Sequence, residues 1–306
     1  MKLYAPDYYP LFSCTAGACR HSCCIGWEID IDDETLEKYR SVPGAFGKRL
    51  KEGISEKPEG SCFQMKDGGR CPFLNESGLC DIIIEFGEDA LSDICADHPR
   101  FRNYLSDRTE IGLGLTCETA AELILSRKAR TKIFEIAEDD EEEAPLSEFE
   151  KHMLSVRSRI LSFAYDSSLP IYEKLTLLLQ YASPESADLS FEEAVQTYLS
   201  FEILDDEWRN LLKHAKSGGS RALSGEEEPI FSNLLGYFVY RHITNAWDEC
   251  DLAARASFIA HAVRFLITLC ENRDPIDTIR MYSSEIEYSD ENLERLLEIF
   301  ESGQQI

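Results

Sequence analysis

Cys14-Thr-Ala-Gly-Ala-Cys19-Arg-His-Ser-Cys23-Cys24 places four thiols in one short stretch, and Cys62, Cys71, Cys80, Cys95 and Cys117 follow it. Nine of the 11 cysteines thus fall in the first 117 residues, leaving Cys250 and Cys270 for the rest of the chain. Thiols at this density serve either as disulfides or as ligands to a soft metal, and the compartment separates the two uses. The opening MKLYAPDYYPLF lacks the basic, apolar and small-residue regions of a secretory signal, which leads us to expect a cytoplasmic protein. In a reducing cytosol the thiols are better read as ligands than as bridges, and an odd total also suits disulfides poorly. A segment held by metal in place of a large core is expected to be loop-rich and to need its metal to fold.

Outward from this segment, composition sets the remaining bounds. At 306 residues and 43% hydrophobic, the chain has enough apolar material for one large domain or two ordinary ones. Its 31 lysines and arginines face 57 acidic residues, a formal net charge of -26. Such a surface repels phosphate backbones, so nucleic acid is not expected as a partner, whereas a cationic substrate would be attracted. The apolar stretch from Phe258 to Cys270 is interrupted by His261 and Arg264, and no integral membrane segment is expected.

The run Glu138-Asp-Asp-Glu-Glu-Glu-Ala-Pro145 reads as a linker, because like charges closed by a proline resist packing. It suggests a cysteine-rich domain over 1–137, a linker over 138–146 and an all-helical domain over 147–306. In the latter, apolar residues recur at helical spacing in Phe149–Phe163, Ile171–Tyr181, Phe191–His214, Ile230–Ile243, Leu252–Leu269 and Leu293–Phe300. Asp290 resembles the cap of the last helix. The front is expected to hold short helices at Asp33–Arg40, near Asp81–Asp93 and at Glu118–Arg130, with Cys117 at the start of the third and Cys95 past the end of the second. The fold class is therefore mainly α: a loop-rich cysteine cluster region with short helices, then a helical bundle.

Cys71-Pro-Phe-Leu-Asn-Glu-Ser-Gly-Leu-Cys80 has the form of a knuckle, with a turn at Asn75 to Gly78 bringing its sulfurs together. Adjacent side chains diverge, so one of the vicinal pair Cys23 and Cys24 is expected to turn toward a different metal or a later cysteine. Cys14, Cys19, Cys23, Cys24, Cys71, Cys80, Cys95 and Cys117 make up the candidate ligand set. They suffice for two zinc sites, one four-iron cluster with spare thiols, or two clusters, and the gaps match neither the usual zinc knuckle nor the ferredoxin run. Cys62 is read as a non-ligand, and Cys250 and Cys270 as small apolar residues packed in helices.

Beyond these signals the blocks Cys14 to Trp27, Gly69 to Asn75, Gly78 to Ile82, Asp93 to Arg100 and Leu113 to Ala121 resemble the flagellin lysine-N-methylase family, itself similar in cysteine pattern to YkgJ-type cluster proteins. Asn233 to His242 and Tyr282 to Leu293 resemble that family's C-terminal blocks. The resemblance implies a cytoplasmic enzyme that uses S-adenosylmethionine to methylate lysines of flagellin or another lysine-bearing protein, with a 4Fe-4S iron-sulfur cluster on the eight cysteines. The chain looks shorter than typical members in the middle, which bears on substrate recognition.

Methyl transfer to lysine requires a neutral amine in line with the methyl group. His98 is the leading candidate to assist, as proton acceptor or as a hydrogen-bonding neighbour of the metal, with Glu85, Asp93, Asp97 and Glu118 behind it. Tyr8, Tyr9, Phe12 and Trp27 flank the first cysteines and could shield a cluster, although core packing also explains them. Arg100 and Arg102 suit ion pairing or a cofactor carboxylate. No glycine-rich nucleotide loop is evident. The rival reading is a non-enzymatic zinc or iron-sulfur interaction module. The sequence leaves the oligomeric state open.

Overall fold

The computed structural model describes residues 1–58, 60–138, 144–183, 188–216 and 221–302. The fold is mainly α. Two compact units share the chain: a helical unit made of Met1–Phe12, Phe101–Thr116 and Ala120–Ile306, and a cysteine unit made of Ser13–Arg100 and Cys117–Thr119. This division differs from the expected one at 138–146, where residues 139–143 lie outside the described residues. The physical reason is strand pairing: the first strand, β1 (Lys2–Pro6), draws its partners from on either side of residue 117 and carries them into the helical unit.

The cysteine unit begins with β2 (Asp30–Ile31), α1 (Asp33–Ser41), α2 (Gly44–Glu52), β3 (Ile54–Lys57) and β4 (Gly60–Phe63), the strands forming a sheet in the order β2-β4-β3. The Asp32 carboxylate caps α1 by accepting from the Thr35 amide at 2.8 Å, a bond that satisfies one of the donors a first turn leaves unpaired. The expected helix near 81–93 is two helices, α3 (Asp81–Phe86) and α4 (Asp93–Asp97). Gly87, at φ 88°, stops α3 in a conformation that a side chain would strain. Cys95 therefore lies within α4, where the sequence placed it past a helix end. Ile29, Ile31, Leu36, Tyr39, Leu50, Phe63 and Phe73 form the core of this unit.

Beyond it come β5 (Arg100–Leu105), β6 (Arg108–Leu113), α5 (Glu118–Leu125) and β7 (Ile133–Glu138). The four-stranded sheet runs β5-β6-β1-β7, with β1 parallel to β6 and antiparallel to β7. None of these strands was expected. Helices follow: α6 (Glu148–Ala164), α7 (Ile171–Leu178), α8 (Phe191–Ser200), α9 (Asp206–His214), α10 (Glu227–His242), α11 (Glu249–Leu269), α12 (Pro275–Tyr282) and α13 (Asp290–Ser302). Ser147 with Glu150, and Ser190 with Glu193, make reciprocal capping boxes at α6 and α8. By length and composition α11 is apolar enough to cross a membrane, and most of it is buried inside this unit.

Three expectations are corrected here. The helix foreseen over Phe191–His214 breaks between α8 and α9, because the Leu204 and Asp205 amides donate to the buried Glu285 carboxylate at 2.9 and 2.7 Å. The cap of α13 is Ser289, whose hydroxyl accepts from the Asn292 amide, and Asp290 is the first helical residue. Cys270 is buried as foreseen, but Cys250 is exposed at the start of α11.

Candidate functional site

The knuckle between Cys71 and Cys80 is rigid for local reasons. The Asn75 side-chain oxygen accepts from the Ser77 and Leu79 amides at 2.9 and 3.0 Å, Asn75 and Leu79 pair through their backbones, and Gly78 takes a φ of 73°. Three cations hold its flanks: Arg49 and Lys66 donate to the Pro72 carbonyl, and Arg70 donates to that of Asn75. Arg49 also pairs with Asp81 at 2.7 Å. In a chain of net charge -26 this is a local reserve of positive charge.

Cys71 is part of the cysteine unit's core, and Cys24, Cys80 and Cys95 are partly buried against that core. The Cys71 amide donates to the Cys24 carbonyl at 2.8 Å, which fixes the first cysteine segment against the knuckle. Burial pushes the Cys71 thiol up to about 12 and the Cys95 thiol up to about 11, with the neighbouring thiols adding to it. Burial raises Cys80 as well. Against that trend, the Cys71 sulfur accepts from the Phe73 amide and the Cys80 sulfur from the Ile82 and Ile83 amides. These bonds favour thiolate over thiol, and hydrogen bonds of this kind tune metal-bound sulfur. The hydroxyl of Ser92, buried at the start of α4, has no partner within hydrogen-bond geometry and lies beside the Cys95 thiol.

Cys14 and Cys23 are exposed, and Cys19 and Cys117 are half-buried, as are Cys24, Cys80 and Cys95. Thr15 joins two of their segments, its hydroxyl lying 3.4 Å from the Cys19 sulfur and 3.0 Å from the Thr119 hydroxyl. Next to Cys117, the Glu118 carboxylate accepts from the Arg20 and His21 amides at 3.0 and 3.2 Å. The Ala16 amide donates to the Cys14 sulfur at 3.3 Å. Cys24, Cys14 and Cys95 all act electrostatically on Cys23. The vicinal thiols bond to each other, which holds Cys24 below the usual thiol value and pushes Cys23 well above it.

All-sulfur donors, amide bonds to three of them and nearby cations suit a soft metal or an iron-sulfur cluster. Among the described residues no group of three or more His, Cys, Asp or Glu side chains converges at ion-binding distance. The thiols are neighbours, not a closed cage. Cys62 stands apart in β4, buried and raised by that burial and by its bond to Glu28.

His98 ends α4 three residues beyond Cys95, and burial, aided by Arg100, pushes its pKa down to about 4. Arg100 donates to the Ala96 carbonyl at 3.3 Å. Trp27 donates from Nε1 to the Cys23 carbonyl at 2.7 Å. Tyr8 packs in the helical unit instead, where with Tyr165, Tyr237 and Tyr240 it lines a void of about 10 Å³. In the cysteine unit a cleft of about 340 Å³ is lined by Glu28, Asp30, Asp32 and Asp93, with Lys57, Ser61 and Cys62. Sequence reasoning anticipated attraction of a cation but not this location: the alternation Glu28-Ile-Asp30-Ile-Asp32 was a readable signal for three of the carboxylates, and Asp93 joins them from α4.

The helical unit holds a buried polar network that spacing gave no means to find. Glu287, in the π turn after α12, accepts from His242 and Tyr237 and pairs with Arg241 at 3.3 Å. Despite burial, Arg241 and His242 hold its carboxyl below the usual range. Desolvation lowers His242. A second buried pair joins β6 to α6, with Arg157 donating to Glu110 at 2.8 Å and to Thr244 at 2.6 Å. Both networks are closed to solvent and read as structural.

Comparison with known proteins gives a consistent picture. A family model described as the FliB lysine N-methylase C-terminal domain matches residues 100–306. Proteins named lysine-N-methylase from Salmonella typhimurium and Salmonella choleraesuis are 29% identical over 127 residues, 40% of this chain and 32% of theirs. The flagellar biosynthetic protein FliU of Salmonella muenchen is 29% identical over 127 residues, 40% of this chain and 75% of its own. The matched stretch thus spans about a third of the length of the two lysine-N-methylases. No solved structure matches.

Proposed function

Because this chain belongs to the FliB lysine N-methylase C-terminal domain family, we propose that it is a protein-lysine N-methyltransferase acting on flagellin or another lysine-bearing protein in the cytoplasm. The observation that carries the reading is the family match over 100–306, supported by relatives named for this activity. S-adenosylmethionine is the methyl donor in this proposal and would supply the methyl group as a sulfonium. The eight cysteines of the candidate set would hold an iron-sulfur cluster, with zinc as the alternative.

The chain's own residues divide the remaining work. The carboxylates of Glu28, Asp30, Asp32 and Asp93 would draw a protonated lysine to the acidic cleft. The amine must then lose its proton, since only the neutral form is a nucleophile, so turnover should rise with pH. At a pKa of about 4, His98 is neutral at physiological pH but too weak a base to strip an ammonium group. Its part in this reading is to position a neighbour by hydrogen bonding.

The test is incubation of anaerobically purified protein with methyl-labelled S-adenosylmethionine and flagellin, followed by mass spectrometry of lysines. Label on lysine supports the reading. Metal-loaded, folded protein that transfers no label to flagellin or to a mixture of lysine-rich proteins would favour the interaction module.

A further inference from the structure

We propose that the apolar face formed by Leu79, Ile83, Ile84 and Phe86 docks a segment of the protein substrate that is itself apolar and flanked by lysines. This rests on the protein-lysine reading above and names the surface that recognises the substrate; none of the four residues lines the acidic cleft. α3 has the sequence Asp81-Ile-Ile-Ile-Glu-Phe86, and only one of its three isoleucines serves the core: Ile82 is 1% exposed, whereas Ile83 is 37% and Ile84 61% exposed. Leu79 and Phe86, at 38% and 42%, extend the face at its two ends. Ile83 and Phe86 stand three residues apart and so share a flank of the helix, with Ile84 beside them. Single exposed apolar residues are ordinary on a protein surface, but large ones gathered on one short helix and the residues leading into it mark a contact site.

The face is held in place by its own unit. Phe86 packs edge-on against Phe46 at 5.2 Å, Ile82 anchors α3 in the core, and Gly87 ends the helix. Charge then selects the partner. From Cys71 to Pro99 the chain carries seven carboxylates and no lysine or arginine. Arg49 pairs with one of them, Asp81, at 2.7 Å, while among the described residues Glu76, Glu85, Glu88 and Asp89 have no ion pair, and all four are exposed. Apolar side chains beside unpaired carboxylates complement a surface that is both apolar and cationic. A second copy of this chain fits poorly, because a symmetric contact would set one acidic rim against the other.

The experiment measures binding of flagellin to the full-length protein without methyl donor, and then initial rates with it, in wild type, Ile84→Ser and Glu85→Gln. Both side chains are exposed, so the variants should melt as wild type does. Ile84→Ser should weaken flagellin binding about tenfold and raise KM to match, with kcat little changed. Glu85→Gln should weaken binding at low salt only, and flagellin with acetylated lysines should bind wild type more weakly than unmodified flagellin does. Unchanged binding in Ile84→Ser, or wild type that does not bind flagellin, overturns the proposal. A wild-type dimer in sedimentation that Ile84→Ser converts to monomer assigns the face to a second copy and overturns it as well. Flagellin methylated by Ile84→Ser at the wild-type KM removes the docking face and leaves the methylase reading standing, whereas Ile84-dependent binding without any methyl transfer removes the methylase reading and keeps the docking face.

Discussion

His242 Nε2 lies 2.7 Å from Glu287 Oε1, so a residue at the end of α10 is fastened to the π turn that follows α12. The two stretches that looked family-like in sequence are thus one structural assembly, with Tyr237 and Arg241 completing it. A π turn lengthens the local repeat by one residue and re-aims side chains, and here it turns Glu287 into the bundle.

Glu287→Gln should therefore destabilise the helical unit by about 3–5 kcal/mol, since Arg241 would keep its charge in a buried place without its counter-ion. Urea unfolding monitored by tryptophan fluorescence checks this, and a loss below about 1 kcal/mol would show that the pair is replaceable.

His261 offers the opposite case. Both ring nitrogens are buried without a hydrogen-bond partner, and the ring lies 5.2 Å from that of Phe300 and 6.1 Å from that of Phe265. His261→Phe should stabilise the protein by about 1 kcal/mol at neutral pH, by removing an unsatisfied polar group. Burial lowers the His261 pKa to about 3, so the unfolded chain binds its proton first. Its contribution to stability is present above about pH 6.5 and is lost as pH falls toward about 3. Melting curves at pH 7.5 and 5 should show the variant's advantage widening in acid.

Gly114→Ala should cost about 1–3 kcal/mol, because a Cβ there would stand 1.9 Å from the Tyr288 hydroxyl oxygen. Gly112 meets the Phe101 ring in the same way. These glycines are packing residues, which is why they looked unlike a nucleotide loop. A double variant with Tyr288→Phe should recover part of the loss in a melting experiment.

Asp30→Asn should raise KM for the lysine-bearing protein several-fold at low salt with a smaller change in kcat, and the difference should shrink as salt screens the cleft. Initial-rate measurements at two salt concentrations settle it. A purely reduced kcat at unchanged KM would place lysine capture elsewhere.

Much of the helical unit was legible because local periodicity writes amphipathic helices directly into the sequence, as in α6 and α13. The knuckle was legible too, since Asn75 and Gly78 are turn residues whatever their surroundings. What local signals missed depended on distant partners. Glu285 splits an otherwise helical stretch from about 80 residues away. The strands are short, and β1 finds β6 across more than 100 residues of chain. α12 carries a local signal of its own in Asp274-Pro275, a cap followed by proline at the first helical position.

The place of β1 between β6 and β7 has a temporal side. β1 is made before both strands that flank it, β6 (Arg108–Leu113) and β7 (Ile133–Glu138). At about 5–20 residues per second, one edge of the strand waits while the chain grows to β6 at 108–113 and the other until it reaches β7 at 133–138. Nearly all of the cysteine unit is therefore synthesised while β1 has no partner, and the helical unit cannot complete its sheet until residue 138 has been made.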